Sequence, residues 1–244
     1  MMKFLSTTFF RKAHRWLGLL VSIQLLMWTA SGLFFSIPDI TDVRGEQYLT
    51  RGYSIDFNQE ARENIAPISA IVDIAKVNLE ANETVLLKHR AGRLIYQVEK
   101  NPPGEKLIFD ALTGQPMTYI TSAEALSIVS ERTELSPTEA VLINQSKTGS
   151  EFRGRNLPLY KVTVTKPKKG IVYVDPLTGE IAAIRTKLWR AWDFLWSLHI
   201  MDYQERDDFS HWLLRLFSAL GVLTVLSGII LWFYSGKLQD RKLS

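Results

Sequence analysis

Four histidines hold most of the chemical potential of this 244-residue chain. Three of them, His14, His199 and His211, flank long apolar runs instead of sitting in polar sequence. Imidazoles are metal ligands, and an acidic link, Asp202, Glu205, Asp207 and Asp208, lies between His199 and His211. Together they make a candidate metal set whose spacing matches no specific template. An acidic lead-in with Ser210 as N-cap also suits the positive end of a following helix. The fourth histidine, His89 in LLKHRAGR, is expected at the end of a strand, in water. The chain has no cysteine, which removes disulfides, lipoprotein acylation, iron–sulfur ligation and CxxCH haem attachment. No Ser/His/Asp or Cys/His set stands at recognisable spacing, so nothing points to a hydrolase.

The elements that must hold these histidines come from the distribution of apolar residues. Trp16 to Ile37 contains 22 consecutive residues without a charge, and Leu216 to Tyr234 contains 19. Each run is long enough for a helix to cross about 30 Å of hydrocarbon. The first resembles a cleaved signal peptide in its basic start and its small residues Thr29, Ala30 and Ser31. Its apolar run exceeds the usual core of about 7 to 15 residues, however, and Trp28, Phe34 and Phe35 suit an interface, so a retained anchor is expected. Lys3, Arg11, Lys12 and Arg15 precede the first run, and Lys237, Arg241 and Lys242 follow the second. Basic flanks stay cytoplasmic, so both termini are expected inside and the segment between the spans outside a bacterial inner membrane. The net charge of +4 is then mainly a topology signal, and no aromatic-interleaved basic patch suggests nucleic acid.

On a helical wheel of about 100° per residue, Gly18, Ser22, Thr29, Gly32 and Ser36 fall within about 80° of one another, and His14 falls with them. The expectation is a small-residue seam facing a partner helix, with His14 on it. Gly221, Thr224, Gly228 and Ser235 form the same device on the second run. Before that run, Trp189, Trp192, Trp196, His199 and Tyr203 follow 3/4 spacing, as expected for an aromatic helix lying at the outer membrane surface.

The intervening segment repeats itself. Asp110, Leu112, Thr113 and Gly114 recur as Asp175, Leu177, Thr178 and Gly179 at a spacing of 65, and Tyr96 recurs as Tyr160. In each unit an alternating run (IYQV, YKVTV) leads through a Pro/Gly/Lys turn to a second (KLIFD, GIVYVD), which is a hairpin signal. The D-x-L-T-G tail reads as a tight turn, since Asp can accept from the backbone two residues on and Gly supplies positive φ. A third strand such as EIAAIR follows. Helical periodicity precedes each hairpin, over Ile68 to Ala81 and Ser122 to Arg132.

The helix, the Y-x-V strand and the V-D-x-x-T-G-[EQ] turn together resemble the PepSY domain, present twice. The segments HRWLGL and LLTVLSGIILW resemble PepSY-associated transmembrane proteins, many of which have four spans where this chain has two. The resemblance implies an α+β region of two helix-plus-antiparallel-strand repeats with two transmembrane helices. It also implies a binding module linked with restraint of peptidases, able to take an extended peptide at a strand edge. Related membrane reductases carry haem between helices, which makes His14, His199 and His211 candidate ligands of a b-type haem. His14 and His211 lie at opposite ends of about 30 Å of hydrocarbon, so one iron cannot take both from one chain. The pair is then His199 with His211, or like histidines from two chains across a twofold axis.

The expected organisation is therefore a cytoplasmic N-terminus over 1–15, a span over 16–37, a connecting segment over 38–65 and PepSY-like repeats over 66–120 and 121–186. An aromatic helix and acidic link cover 187–210, a second span 211–235 and a cytoplasmic tail 236–244. The expected role is an accessory or electron-transfer component linked to iron uptake or respiration. Its expected partners are the lipid bilayer, a second copy or a larger membrane complex, and an extracytoplasmic protein. The rival expectation is a tethered regulator of a peptidase or a purely structural assembly subunit.

Overall fold

The structure is a computed structural model that describes residues 7–50, 64–78, 82–101 and 105–243. Lys3, residues 51–63 of the connecting segment and residues 79–81 lie outside the described residues, as do side chains beyond Phe233, including Ser235 and the basic tail. The chain divides into a helical unit, 1–39 with 191–244, and an α/β unit, 40–190.

The helical unit contains α1 (Thr7–Phe35), all but the first turn of the helix Lys187–Ile200, and a long helix, Trp212–Leu243. In α1 and the last helix, the stretches Phe9–Phe35 and Trp212–Phe233 are long and apolar enough to cross a membrane. Only 17% and 6% of their most apolar windows are buried by the rest of the protein. A core helix of a soluble domain would be covered, whereas here Ile23 and Leu26 are 70% and 69% exposed. Such apolar surface calls for lipid or a partner around it.

The α/β unit opens with a short helix, α2 (Ile40–Arg44), and a 3-10 turn, Glu46–Tyr48. Its first layer pair is α3 (Ile68–Ala75) on the sheet β1 (Thr84–Arg90), β2 (Arg93–Glu99) and β3 (Lys106–Asp110). The second is α4 (Ser122–Arg132) on β4 (Pro137–Ile143), β5 (Leu159–Val164), β6 (Ile171–Val174) and β7 (Ile181–Arg185). Both sheets are antiparallel between sequence neighbours. Period-two alternation directs Tyr160, Val162 and Val164 of β5, with Val172 and Val174 of β6, onto Ala125, Ile128 and Val129 of α4. Tyr96, Val98 and Phe109 meet Ile71 and Ala75 of α3 in the same way.

The two halves share a frame of hydrogen bonds. Asp110 Oδ1 accepts from the Leu112 and Thr113 amides, and Asp175 Oδ1 from those of Leu177 and Thr178. Gly114 and Gly179 take φ of 69° and 70° and donate to the carbonyls of Asp110 and Asp175. The Tyr96 hydroxyl donates to the Ala66 carbonyl and that of Tyr160 to Ile120, in each case two residues ahead of a helix. Each tyrosine thus ties the strand beside it to the entry of its helix.

Sequence and structure part at three places. The first helix was expected to reach Ala81 but stops at Ala75, because Lys76 turns left-handed (φ 49°) and the Val77 amide bonds back to the Val72 carbonyl. Strands β1 and β4 come between each helix and its hairpin, where only a hairpin and a following strand were expected. The following strand itself forms only in the second half. There Ile181 opens β7, whereas Pro116 at the corresponding place has no amide to donate and makes a single bridge to Phe109.

Two outcomes follow for stability. A Cβ at Gly179 would lie 2.8 Å from Arg90 Cγ and 3.1 Å from Ile128 Cδ1, whereas one at Gly92, also at positive φ, meets nothing within 4 Å. Gly179→Ala is therefore expected to cost about 1–3 kcal/mol in chemical unfolding, more than Gly92→Ala. The second concerns the capping box of α4, in which Thr121 Oγ1 accepts from the Glu124 amide. Bonds from the Thr121 amide and hydroxyl hold the Glu124 carboxyl below its ordinary range. A folded value below the unfolded one stabilises above the unfolded pKa of about 4.3 and is lost as pH falls through the folded value. Wild type is thus expected to lose more stability than Glu124→Gln between about pH 5 and pH 3, read by circular dichroism melts.

Candidate functional site

The candidate histidines lie in the helical unit, labelled here α1, α5 (Lys187–Ile200) and α6 (Trp212–Leu243). α1 and α6 pack antiparallel through small residues of α6. Gly221 lies against Trp28 and Leu25, Thr224 against Gly18, and Gly228 against His14. A Cβ at Gly228 would stand 3.2 Å from His14 Cε1, so any larger residue there would force the ring to give by a few tenths of an ångström. His14 Nδ1 lies 2.7 Å from Ser227 Oγ.

On α1 the stripe that meets α6 is rotated from the expected seam. His14 and Gly18 belong to it, but Leu25 and Trp28 continue it. Ser22 and Thr29 are exposed and bond their own helix at the Leu19 and Leu25 carbonyls, and a Cβ on Gly32 would meet nothing within 4 Å. The reason is shape: the glycines of α6 receive the large side chains of α1, so small residues do not need to face small residues.

α5 runs beside the C-terminal half of α1. Phe35 meets the rings of Trp192, Trp196 and His199 at 5.1, 6.1 and 5.6 Å, and Trp196 stacks on Trp192 at 5.3 Å and 14°. Trp196 and His199 are also nearly coplanar in orientation, 7° apart. Trp189 packs in the α/β unit under Arg185, and Tyr203 follows the helix end at Met201 (φ 60°). The last carbonyls of a helix lack intrahelical donors. Here Gln24 Nε2 donates to Leu198 O at 3.2 Å, Trp28 Nε1 to His199 O at 2.6 Å, and His211 Nε2 lies 2.8 Å from Ile200 O. Gln24, only 5% exposed in the middle of an apolar helix, is thereby explained.

His199 and His14 share a second device. His199 Nδ1 lies 2.7 Å from Ser31 Oγ, and Ser31 Oγ also donates to the Met27 carbonyl at 2.6 Å. Ser227 Oγ likewise donates to the Thr224 carbonyl at 2.9 Å. A hydroxyl has one proton; where each serine spends it on its backbone carbonyl, the imidazole must be the donor. That arrangement fits an Nδ1–H tautomer of His14 and His199, with the lone pair on Nε2. His211 is the reverse case, because a carbonyl facing Nε2 makes Nε2 the donor. Neither serine stands among the expected seam residues, and Ser31 reads from sequence only as part of a signal-like run of small residues.

The acidic link is organised around Asp202, whose carboxylate accepts from the amides of Gln204, Glu205, Asp207 and Asp208. Asp193, 2% exposed, pairs with Arg206 at 2.6 Å. Among the described residues no group of three His, Asp or Glu side chains converges as a metal site. His89 lies near the end of β1, half-buried.

The close packing at Gly228 gives a direct test of helix orientation. Gly228→Val is expected to cost about 1–3 kcal/mol in the detergent-purified protein by overlap with His14. Gly32→Val should leave the melting temperature unchanged. Equal effects, measured by tryptophan fluorescence on heating, would contradict the rotated stripe.

No curated protein and no solved structure matched the chain. One family profile did: residues 119–185, from just ahead of α4 to the last residue of β7, match the PepSY family, described as the peptidase propeptide and YPEB domain.

Proposed function

We propose that this protein is a two-span accessory subunit of a bacterial inner-membrane redox or iron-uptake assembly, with both termini cytoplasmic and the α/β unit outside. In this reading His14 and His199 serve as Nε2 ligands of b-type haem. The observation that carries it is the twin serine arrangement, because an imidazole held at Nδ1 by a neighbouring helix offers the neutral Nε2 that an iron needs. Haem bound there supplies one-electron transfer. His14 and Ser31 are separated by about 25 Å along α1, so the two imidazoles sit at different depths. The donor set therefore fits with one ligand per depth from each chain. The second comes from another copy across a twofold axis or from a partner's helices. His211 closes the end of α5 and is not assigned to iron.

Residues 66–120 read as a second, diverged PepSY-like copy, supported by the shared turn and tyrosine bonds. The α/β unit also favours a second reading, a tethered binding module that restrains an extracytoplasmic peptidase or docks another protein. Among the described residues no strand pairs with the outer edge of β7, which gives that reading its observation.

The reduced, detergent-purified protein is expected to show a b-type α-band in its visible spectrum. His14→Ala and His199→Ala should each lower haem content by about half, and His211→Ala should leave it unchanged. A colourless protein with an intact fold would overturn the haem assignment and leave the binding module.

A further inference from the structure

The outer edge of β7 borders a cleft of about 350 Å³, within the size range of ligand pockets. Ile181 to Arg185 line it along one side, with Arg44, Glu46, Leu49, Arg155 and Trp189. The segment carrying Arg44 and Glu46 approaches β7 at Gly45, where a Cβ would overlap Ile184 at 2.8 Å, so this wall is tightly fixed.

The charges in the cleft do not balance. Arg185 lies over the Trp189 ring at 4.2 Å and donates through Nε to the Glu151 carbonyl at 2.7 Å and through Nη1 to the Ile184 carbonyl at 3.3 Å. Both acceptors are neutral. The Glu151 carboxylate itself is taken by Arg190 in a two-bond fork. Among the described residues, Arg185 Nη2 and the Arg155 guanidinium have no hydrogen-bond partner. Glu46, the one carboxylate among the lining residues, is exposed and only 3.8 Å from the exposed Arg44. Three guanidiniums thus face one carboxylate. Burial, and then the neighbouring Arg155, pull Arg185 down to about 10, with Glu151 only partly opposing them.

We propose that this cleft docks an extended peptide that lies along the outer edge of β7 and places a carboxylate on Arg155 and Arg185. This rests on the second reading above, that the α/β unit is a binding module. The half-buried Ile181 and Ala182 at the start of β7 favour a peptide, because an unpaired edge recognises main-chain amides and carbonyls, whereas the Ile184 carbonyl is already taken by Arg185. The guanidiniums favour an acidic one, since their planar forks match a carboxylate in two parallel bonds. A small free anion would use the arginines and leave the strand idle.

The test uses the full-length protein in detergent and fluorescence anisotropy of a labelled octapeptide of alternating Val and Glu, beside its Gln counterpart. The Glu peptide is expected to bind at least about tenfold more tightly than the Gln peptide, a difference of about 1.4 kcal/mol. Arg155→Glu, at an exposed position, should abolish that preference, and Arg185→Gln should weaken it. Equal binding of both peptides, or binding indifferent to Arg155→Glu, would overturn the cleft while leaving a binding module intact. Displacement of the Glu peptide by inorganic phosphate at equal concentration would reduce the cleft to a small-anion site and overturn the peptide. Binding of neither peptide would overturn both the proposal and the binding-module reading.

Discussion

A backbone polar group with no water to turn to must find a partner in the protein, and much of this structure is arranged around that requirement. The end of α5 states it most directly. Three successive carbonyls there are met by Gln24 and Trp28 of α1 and by His211 ahead of α6. Two donors come from α1 and the third immediately precedes α6, so one helix end joins all three elements of the helical unit. Removing such a donor would leave a buried carbonyl whose desolvation costs about 1–3 kcal/mol.

The same requirement shapes the imidazoles. A serine in a helix commonly returns its proton to a carbonyl one turn back, and Ser31 and Ser227 both do so. A hydroxyl used in that way keeps only acceptor capacity for the histidine that faces it from a neighbouring helix. A structural habit of serine in apolar helices thereby becomes control over a tautomer, which decides the nitrogen left available for chemistry. His211, facing a carbonyl, is driven to the opposite assignment by the same rule.

In the α/β unit the requirement is met twice by the same bonds. Both Asp-x-x-Thr-Gly turns close with the same bonds, and both tyrosines hold the same approach to a helix. The halves diverge where one residue changes the backbone inventory: Pro116 cannot donate, so the first sheet ends at β3, whereas Ile181 extends the second to β7. That extension creates the strand edge against which Arg44, Arg155, Arg185 and Trp189 gather. An arginine cluster with too few carboxylates is tolerable there because Trp189 covers one guanidinium and the cleft admits water to the others.

Much of this was legible in the sequence because local chemistry governs it. Two charge-free runs, two hairpins, the capped helix Ser122–Arg132 and the Asp/Gly turns depend on residue type and short spacing alone. The glycine stripe of α6 could be read from a helical wheel as well. The matching face of α1 could not, because which residues enter a glycine groove depends on the size of the partner's side chains. Nor could any wheel connect Gln24, Trp28 and His211 to one helix end, or Ser31 and Ser227 to histidines 168 and 213 residues away in the chain. The sequence by itself determined the elements and placed imidazoles beside apolar helices. Only the tertiary structure decided which group each imidazole nitrogen meets, since that partner lies across the helix interface and not in the neighbouring sequence.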